Sequence, residues 1–307
     1  MALALAERLP IEIVSVDSGM VYRGMDIGTA KPTRQQMQQV PHHLVDVHDP
    51  AEPFSAALFL EKVRPLVADI LQRDKLPVLV GGTMLYFRVL VQGLVALPEA
   101  NAALRARLDA EAAELGWPML HARLYRVDPQ TALRLSPNDR QRIQRALEIF
   151  ELTGVPSSVL YRSDAEDADK THWPWPNTPL WFALVPQDRS WLHRRIEQRL
   201  EVMWQAGLVQ EVEALYQRGD LQAQLPALRA VGYRQVWSYL QGTLTAAAMR
   251  EQTLYATRQL AKRQLTWLRS FRGMITQDPG ACSVEEIAEQ LELIVKKAQN
   301  GEEMFFG

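Results

Sequence analysis

Cysteine is nearly absent: Cys282 is the sole one in 307 residues. A single thiol excludes an internal disulfide framework and any zinc cluster built from the cysteines of one chain. No run of eighteen or more apolar residues occurs, so no segment is a candidate membrane-spanning helix. The first ten residues, MALALAERLP, lack a basic leader and a long apolar core, and they do not read as a signal peptide. The two signs of charge are close to balanced, 34 Lys and Arg against 36 Asp and Glu, for a formal net charge of -2. That balance names no partner by itself. The expectation is a soluble cytoplasmic protein, with no membrane partner and long enough for one large domain or two smaller ones.

What is present is organised around IEIVSVDSGMVYRGMDIGTAKP, residues 11–32. The β-branched run Ile11 to Val16 reads as a mostly buried strand. Asp17 and Ser18 stand at its carboxyl end, followed by a loop punctuated by Gly19, Gly24 and Gly28. Ligand sites of open α/β sheets lie beyond the carboxyl ends of strands, which is where this acid falls. The same two residues are also good helix caps. Taken by itself, the stretch leaves both readings open.

Ahead of it, Ala2 to Leu9 reads as helix stopped at Pro10. Beyond it, Pro41 to Val47 reads as a short strand, and Ser55 caps a helix from Ala56 to about Gln72. Pro77 to Val80 reads as a second buried strand, ending in Gly81-Gly82-Thr83 before a helix from Met84 to Val91. Strand, helix, strand, glycine turn and helix is the signature of a parallel α/β sheet. Between Pro98 and Arg162 the strand-like runs vanish and four helices are predicted, over Ala102–Leu115, Met119–Val127, Pro129–Leu135 and Asp139–Leu152. Asp164–Lys170 and the WPWP run after it read as a surface linker. Leu180–Val185 reads as a strand that resumes the α/β layer. Helical stretches follow over Arg189–Arg218 and Ala246–Arg269, then a short strand at Met274–Thr276 and a helix over Val284–Gln299. The tail after it reads as disordered. The predicted domains are residues 1–100 with 178–307, and a helical insertion over 101–177.

The Gly81-Gly82-Thr83 turn offers helix-start N–H groups and a hydroxyl suited to a phosphate, a ribose or a base edge, though such turns are often plain backbone geometry. Basic residues cluster twice. Arg123, Arg126, Arg134, Arg140, Arg142 and Arg145 face only Asp128 and Asp139 within their own segment. Arg258, Lys262, Arg263, Arg269 and Arg272 surround Gln264, Thr266 and Trp267. Arginines interleaved with an aromatic suit a nucleic-acid strand, and the bland alternative is a solvated helix face. His42, His43 and His48 have no spacing that completes a metal set.

Six motifs then stand in order: VDSGMVYRGMDIGTAKP, PHHLVDVHDP, PVLVGGTMLYFRVL, NDRQRIQRALEIF, LRAVGYRQVW and KRQLTWLRSF. Together they resemble the bacterial tRNA dimethylallyltransferase family over nearly the whole chain. The resemblance implies a fold related to P-loop kinases, a parallel sheet flanked by helices with an all-helical insertion. It implies transfer of a dimethylallyl group from dimethylallyl diphosphate to the exocyclic N6 amine of the adenosine 3′ of the anticodon, in the anticodon stem-loop of tRNA. Asp17 matches the family's general base, and Thr83 joins it as a catalytic position. Asp17, Ser18, Gly19, Met20, Thr83 and Arg105 match tRNA-contact positions. So do Gln141, Arg142, Ile143, Gln144 and Arg145; Arg229, Ala230, Val231, Gly232, Tyr233 and Arg234; and Lys262, Arg263, Gln264, Leu265, Thr266, Trp267, Leu268 and Arg269. Arg189 and Arg195 resemble lid arginines of kinase relatives. The family further implies Mg²⁺ and a monomer. Its phosphate loop, of the form GxTxSGKT, has no counterpart in these residues. The resemblance places that loop and its strand ahead of residue 1, which leaves the diphosphate-binding residues unassigned. The alternative is a relative that binds tRNA without catalysing transfer.

Overall fold

The structure, a computed structural model, describes residues 1–95, 97–166, 173, 175, 179–271 and 273–299. It divides into two compact units, Met1–Val89 with Pro174–Gly307, and Leu90–Trp173. No helix among the described residues is long and apolar enough to cross a membrane.

In the first unit, β1 (Ile11–Ser15) is buried at every position and pairs in parallel with β2 (His42–His43) and β3 (Leu76–Val80), in the order β2-β1-β3. A strand buried on both faces reads as a continuous apolar run, and the exception here is Glu12. Its carboxylate accepts from Arg73, at the end of the helix preceding β3, and lies 2.7 Å from Nε2 of His43 on β2. The Arg73 guanidinium holds this buried carboxyl below its usual range. The acid is thereby paired, as a buried charge must be.

The first helices of this unit are α1 (Ala2–Ala6), α2 (Arg34–Gln39), α3 (Ala56–Gln72) and α4 (Met84–Gln92), the last crossing the unit boundary. Leu5 and Leu9 around α1 pack with Ile11, Ile13, Val40 and Val295. Two expectations change here. β3 is half-exposed rather than buried, with Val80 40% exposed, because it is the edge of the three-stranded ladder. The strand expected to resume that layer, β4 (Phe182–Leu184), pairs instead with β5 (Ile275–Gln277) in a ladder of its own.

The second unit is all helix among its described residues: α5 (Ala102–Leu115), α6 (Trp117–Val127), α7 (Pro129–Arg134), α8 (Arg140–Thr153) and α9 (Ser157–Glu166). Leu108, Leu120, Leu124, Ile143 and Leu147 form its core. The first three residues of the expected acidic linker are helix, since residues 164–166 complete α9. The rest of that linker, residues 167–172, with 174 and 176 of the WPWP run, lies outside the described residues.

The chain then returns to the first unit through α10 (Arg189–Gln205), α11 (Leu208–Gln217), a 3₁₀ turn at Ala227–Arg229, α12 (Tyr233–Leu240), α13 (Ala246–Leu268) and α14 (Val284–Gln299). The single helical stretch expected over 189–218 breaks at Gly207, whose φ of +99° a residue with a side chain adopts only at a cost. α2 and α12 escape the sequence reading because both are short and flanked by turn residues. Arg272 and the C-terminal tail lie outside the described residues.

Asp128 organises the helical unit. Its buried carboxylate caps α7 through the Thr131 amide and receives both the Ser157 hydroxyl and the Ser158 amide at the start of α9. Burial alone would raise its pKa, but the hydrogen bonds from Ser158 and Thr131 win and hold it down to about 2. A depressed carboxyl contributes stability that is complete above its unfolded pKa of 3.8 and lost as the pH falls through the folded value near 2. Replacing Asp128 by Ala leaves three donors without their acceptor and should cost about 2–4 kcal/mol. The expected readout is amide exchange in α7 and early α9 accelerated about 30- to 800-fold at neutral pH, with the difference from wild type shrinking below about pH 3. Exchange there within about twofold of wild type would remove Asp128 from this role.

Candidate active site

Beyond the formal strands the ladder continues for one more step. The Val16 amide donates to the Val80 carbonyl at 2.7 Å, and the Thr83 amide donates to the Val16 carbonyl at 3.2 Å. A Cβ on Gly81 would lie 2.0 Å from the Val16 oxygen, so only glycine lets the two strand ends run this close. Asp17-Ser18 and Thr83 consequently meet. The Ser18 amide donates to the Thr83 hydroxyl oxygen at 2.9 Å, and the two hydroxyls stand 3.3 Å apart.

Asp17 does not cap a helix. Its Oδ1 accepts from the amides of Gly19 at 2.7 Å and Met20 at 3.2 Å, closing a turn. Oδ2 has no hydrogen-bond partner among the described residues, and the side chain stays partly open to solvent. One oxygen fixes the carboxylate and the other remains to accept a proton.

The loop that follows is held from several sides. Lys31 buries its ammonium against the Tyr22 carbonyl and the carboxylates of Asp26 and Asp46. Thr29 donates its hydroxyl to the Met25 carbonyl, and the Thr29 methyl lies where a Cβ on Gly19 would be only 2.9 Å away. From α11, Glu211 accepts the amides of Asp26, Ile27 and Gly28, and also the hydroxyl of Tyr233 at 2.5 Å. Burial, reinforced by the Glu211 charge, pushes that hydroxyl's pKa far up.

Two further side chains reach this region from the C-terminal helices. Gln264 of α13 donates its amide to the Gly82 carbonyl at 3.0 Å, and the Arg88 guanidinium lies over the Trp267 ring at 5.8 Å. Thus the KRQLTWLR segment abuts the glycine turn. Arg199 of α10, within 3.5 Å of the Thr29 carbonyl, is crowded by protein atoms that lower its pKa while the Asp17 charge opposes the shift. The residue nevertheless keeps an exposed surface. Sequence patterning singles out neither Arg199 nor Glu211. The R-I-E-Q-R spacing on α10 could have drawn attention to Arg199, whereas nothing local marks Glu211.

In the helical unit, Glu148 is fully buried and collects both predicted contact arginines of its surroundings. Arg105 donates to it through Nε and Nη2, Arg145 through Nη1, and the Asn101 amide completes the set. Burial works against ionisation of Glu148, but the hydrogen bonds from Arg105 and Arg145 keep its pKa lowered. Gln144 donates to the Arg105 carbonyl and to Asp109. Arg142 is largely exposed beside Asp139, and Gln141 precedes it on α8.

Several sequence expectations need correction at the level of side chains. Ile143 and Tyr233 are fully buried, Ile143 in the core of the helical unit and Tyr233 against Gly28. Arg123 is tied to Glu111 and Glu151, and Arg258 to Glu197, which takes both out of the free basic patches. Those acids come from other helices, where counting charges along one segment does not see them. Lys262, Arg263 and Arg269 are exposed and form no ion pair among the described residues. Met20 and Ser18 lie in the Asp17 turn, Arg229 ends the 3₁₀ turn, Ala230, Val231 and Gly232 lead into α12, Arg234 is on α12, and Leu265, Thr266 and Leu268 continue α13. Among the described residues no three His, Cys, Asp or Glu side chains converge as a metal site.

This arrangement has counterparts. A family model for IPP transferase matches residues 20–271. A tRNA dimethylallyltransferase of Thiobacillus denitrificans is 54% identical over 291 residues, covering 95% of this chain and 91% of the relative. The chain belongs to the IPP transferase family. Another family member, from Paraburkholderia xenovorans, is 53% identical with the same coverage. The solved full-length tRNA isopentenylpyrophosphate transferase of Bacillus halodurans is 34% identical with a TM-score of 0.69, covering 97% of this chain and 92% of that one. A eukaryotic dimethylallyltransferase acting on tRNA shares the fold, with a TM-score of 0.77 at 23% identity. The relatives named here are enzymes that transfer a prenyl group, and the mixed α/β architecture with its small parallel sheet is theirs.

The glycine turn gives a test of the geometry. Gly81→Ala should destabilise the protein by about 3 kcal/mol or more, since the added methyl meets backbone that cannot move without parting β1 from β3. Gly82→Ala should cost far less, because its methyl meets only the terminal amide of Gln264, 2.3 Å away, which can swing aside. Thermal unfolding of the two variants compares them, and equal losses would contradict the described strand-end contact.

Proposed function

We propose that this chain transfers a dimethylallyl group from dimethylallyl diphosphate to the exocyclic N6 amine of the adenosine 3′-adjacent to the anticodon of tRNA, with Asp17 as general base. The observation that carries the proposal is the divided carboxylate at a paired strand end: Oδ1 is anchored by two backbone amides and Oδ2 has no hydrogen-bond partner among the described residues, while the next residue, Ser18, donates its amide to the Thr83 hydroxyl oxygen. An exocyclic adenine amine is a weak nucleophile, its lone pair being delocalised into the ring. It gains most from an acceptor placed on its proton as the new C–N bond forms. In the step proposed, N6 attacks the allylic carbon, the carbon–oxygen bond to diphosphate breaks, and the N6 proton passes to Asp17 Oδ2. The diphosphate leaves with the bonding pair. Arg199, held against the Thr29 carbonyl, is near enough for its charge to interact with that of Asp17, and it is suited to meet the departing anion. Thr83 holds the Ser18 side of the turn and keeps Asp17 in register.

The tRNA is read as lying on the exposed basic residues of α13, with Trp267 beside them, and on α8 of the helical unit through Arg142 and its neighbours. Flipping of the target base toward Asp17 follows from the need to reach an amine inside a stack. The described residues gather no set of three acidic or imidazole ligands for the Mg²⁺ that the family resemblance implies. We further place the protein in the cytoplasm as a monomer, where its tRNA substrate is found. A second reading is tRNA binding without transfer, for which the exposed Arg142, Lys262, Arg263 and Arg269 would serve equally well. Prenyl transfer and tRNA binding measured on the same preparation separate the two, since binding without turnover favours the second.

Asp17→Asn should preserve tRNA affinity and lower turnover by about 10²–10⁴, the range for a positioned acid or base. Near-normal turnover would take the base role away from Asp17. Arg263→Ala and Arg142→Ala should each weaken tRNA binding and flatten its dependence on salt by about one unit of slope. Affinity unchanged at low salt in both would detach these helices from the RNA.

A further inference from the structure

Three consecutive backbone amides converging on one anion form a concavity of the kind that elsewhere holds phosphate. Here the occupant is a side chain of the protein itself. Glu211 Oε2 accepts from Asp26 at 2.8 Å and Ile27 at 2.7 Å, while Oε1 accepts from Gly28 at 3.1 Å and from the Tyr233 hydroxyl. Both oxygens are thus used twice. The Tyr233 ring closes the arrangement, packed so tightly on Gly28 that a Cβ there would fall 2.4 Å from Cε2. Glu211 comes from α11 and Tyr233 opens α12, directly after Arg229–Gly232, so the clamp ties that segment to the loop carrying Asp26 and Gly28.

The loop leads back to Asp17 by contact. Gly28 is followed by Thr29, whose methyl is against Gly19, and the Gly19 amide is one of the two that fix Asp17 Oδ1. The Thr29 carbonyl also faces Arg199. A shift of the Asp26–Gly28 backbone therefore moves both the amide that orients the carboxylate and the carbonyl beside the neighbouring cation.

We infer that Glu211 and Tyr233 are positioning residues for prenyl transfer: the carboxylate locks the Asp26–Gly28 backbone, and through Thr29 and Gly19 sets the orientation of Asp17. The inference rests on the reaction assigned under Proposed function. Both oxygens of Glu211 and the Tyr233 hydroxyl are engaged by groups of the protein itself. Glutamine at 211 is nearly isosteric with the acid but turns an N–H₂ toward N–H donors, so it cannot satisfy all three amides. Phenylalanine at 233 keeps the buried ring and removes only the hydroxyl.

The test combines steady-state transfer kinetics, tRNA binding and amide exchange on the full chain. For Glu211→Gln we expect kcat about 30- to 100-fold lower, the scale of an ångström-level misplacement. The tRNA Kd should stay within about threefold, and exchange at Asp26, Ile27 and Gly28 should rise by about tenfold or more. For Tyr233→Phe we expect a milder fall in kcat, about five- to tenfold, with the thermal midpoint nearly unchanged. Unchanged exchange at the three amides in Glu211→Gln overturns the clamp, whatever the kinetics. Faster exchange with unchanged kcat in both variants overturns the positioning role. A parallel loss of tRNA affinity and kcat points to a general structural role and overturns it too. If wild-type protein binds tRNA but transfers nothing, the assigned reaction and the positioning role both fall, and amide exchange still judges the clamp.

Discussion

Everything at the candidate site depends on how closely β1 and β3 run once they leave the sheet. Val16 is bonded on both sides to the other strand's extension, to Val80 through its amide and to Thr83 through its carbonyl. That pairing turns two separate loop starts into one surface, with an acid on one side and a hydroxyl on the other. It needs a residue without Cβ at position 81, and it tolerates little else. The parallel register makes this possible, because parallel strands end on the same side of the sheet and bring their following loops together.

The rest of the first unit can be understood as support for that surface. Glu12 sits inside β1 yet binds outward, to Arg73 beyond α3 and to His43 on β2, so the central strand is fastened laterally by charge as well as by its ladder. The loop after Asp17 owes its shape to Lys31 and Asp46 on one side and, from far along the chain, to Glu211 and Tyr233 on the other. Gln264 closes the glycine turn from α13. Residues separated by up to about 180 positions in sequence meet within a few ångströms.

What could be read from the sequence follows from the range of the forces involved. β1 is legible as an apolar β-branched run, and α3 and α14 because hydrophobic period and length agree within one segment. Asp17 and Thr83 are identifiable because a strand end followed by a glycine turn is a local pattern. The pairing of β4 with β5, the exposure of β3 and the burial of Tyr233 are not local, and a linear pattern carries no trace of them. The basic clusters show the same boundary most clearly. Arg142 and Arg263 stay exposed as their composition suggests, but Arg123 and Arg258 find acids on helices distant in sequence. Glu211 leaves no mark, since a glutamate on an amphipathic helix looks like solvent-facing charge until three amides from another loop are seen around it.

The buried Glu148 alters how its arginines count. Arg105 and Arg145 share one carboxylate that never reaches solvent, so the three groups together carry a single positive charge. A polyanion approaching that face releases the counterions due to one cation, though it meets two planar guanidinium forks already held in place. The long-range pull on any polyanion is halved, and the entropy of fixing two flexible side chains has been spent during folding.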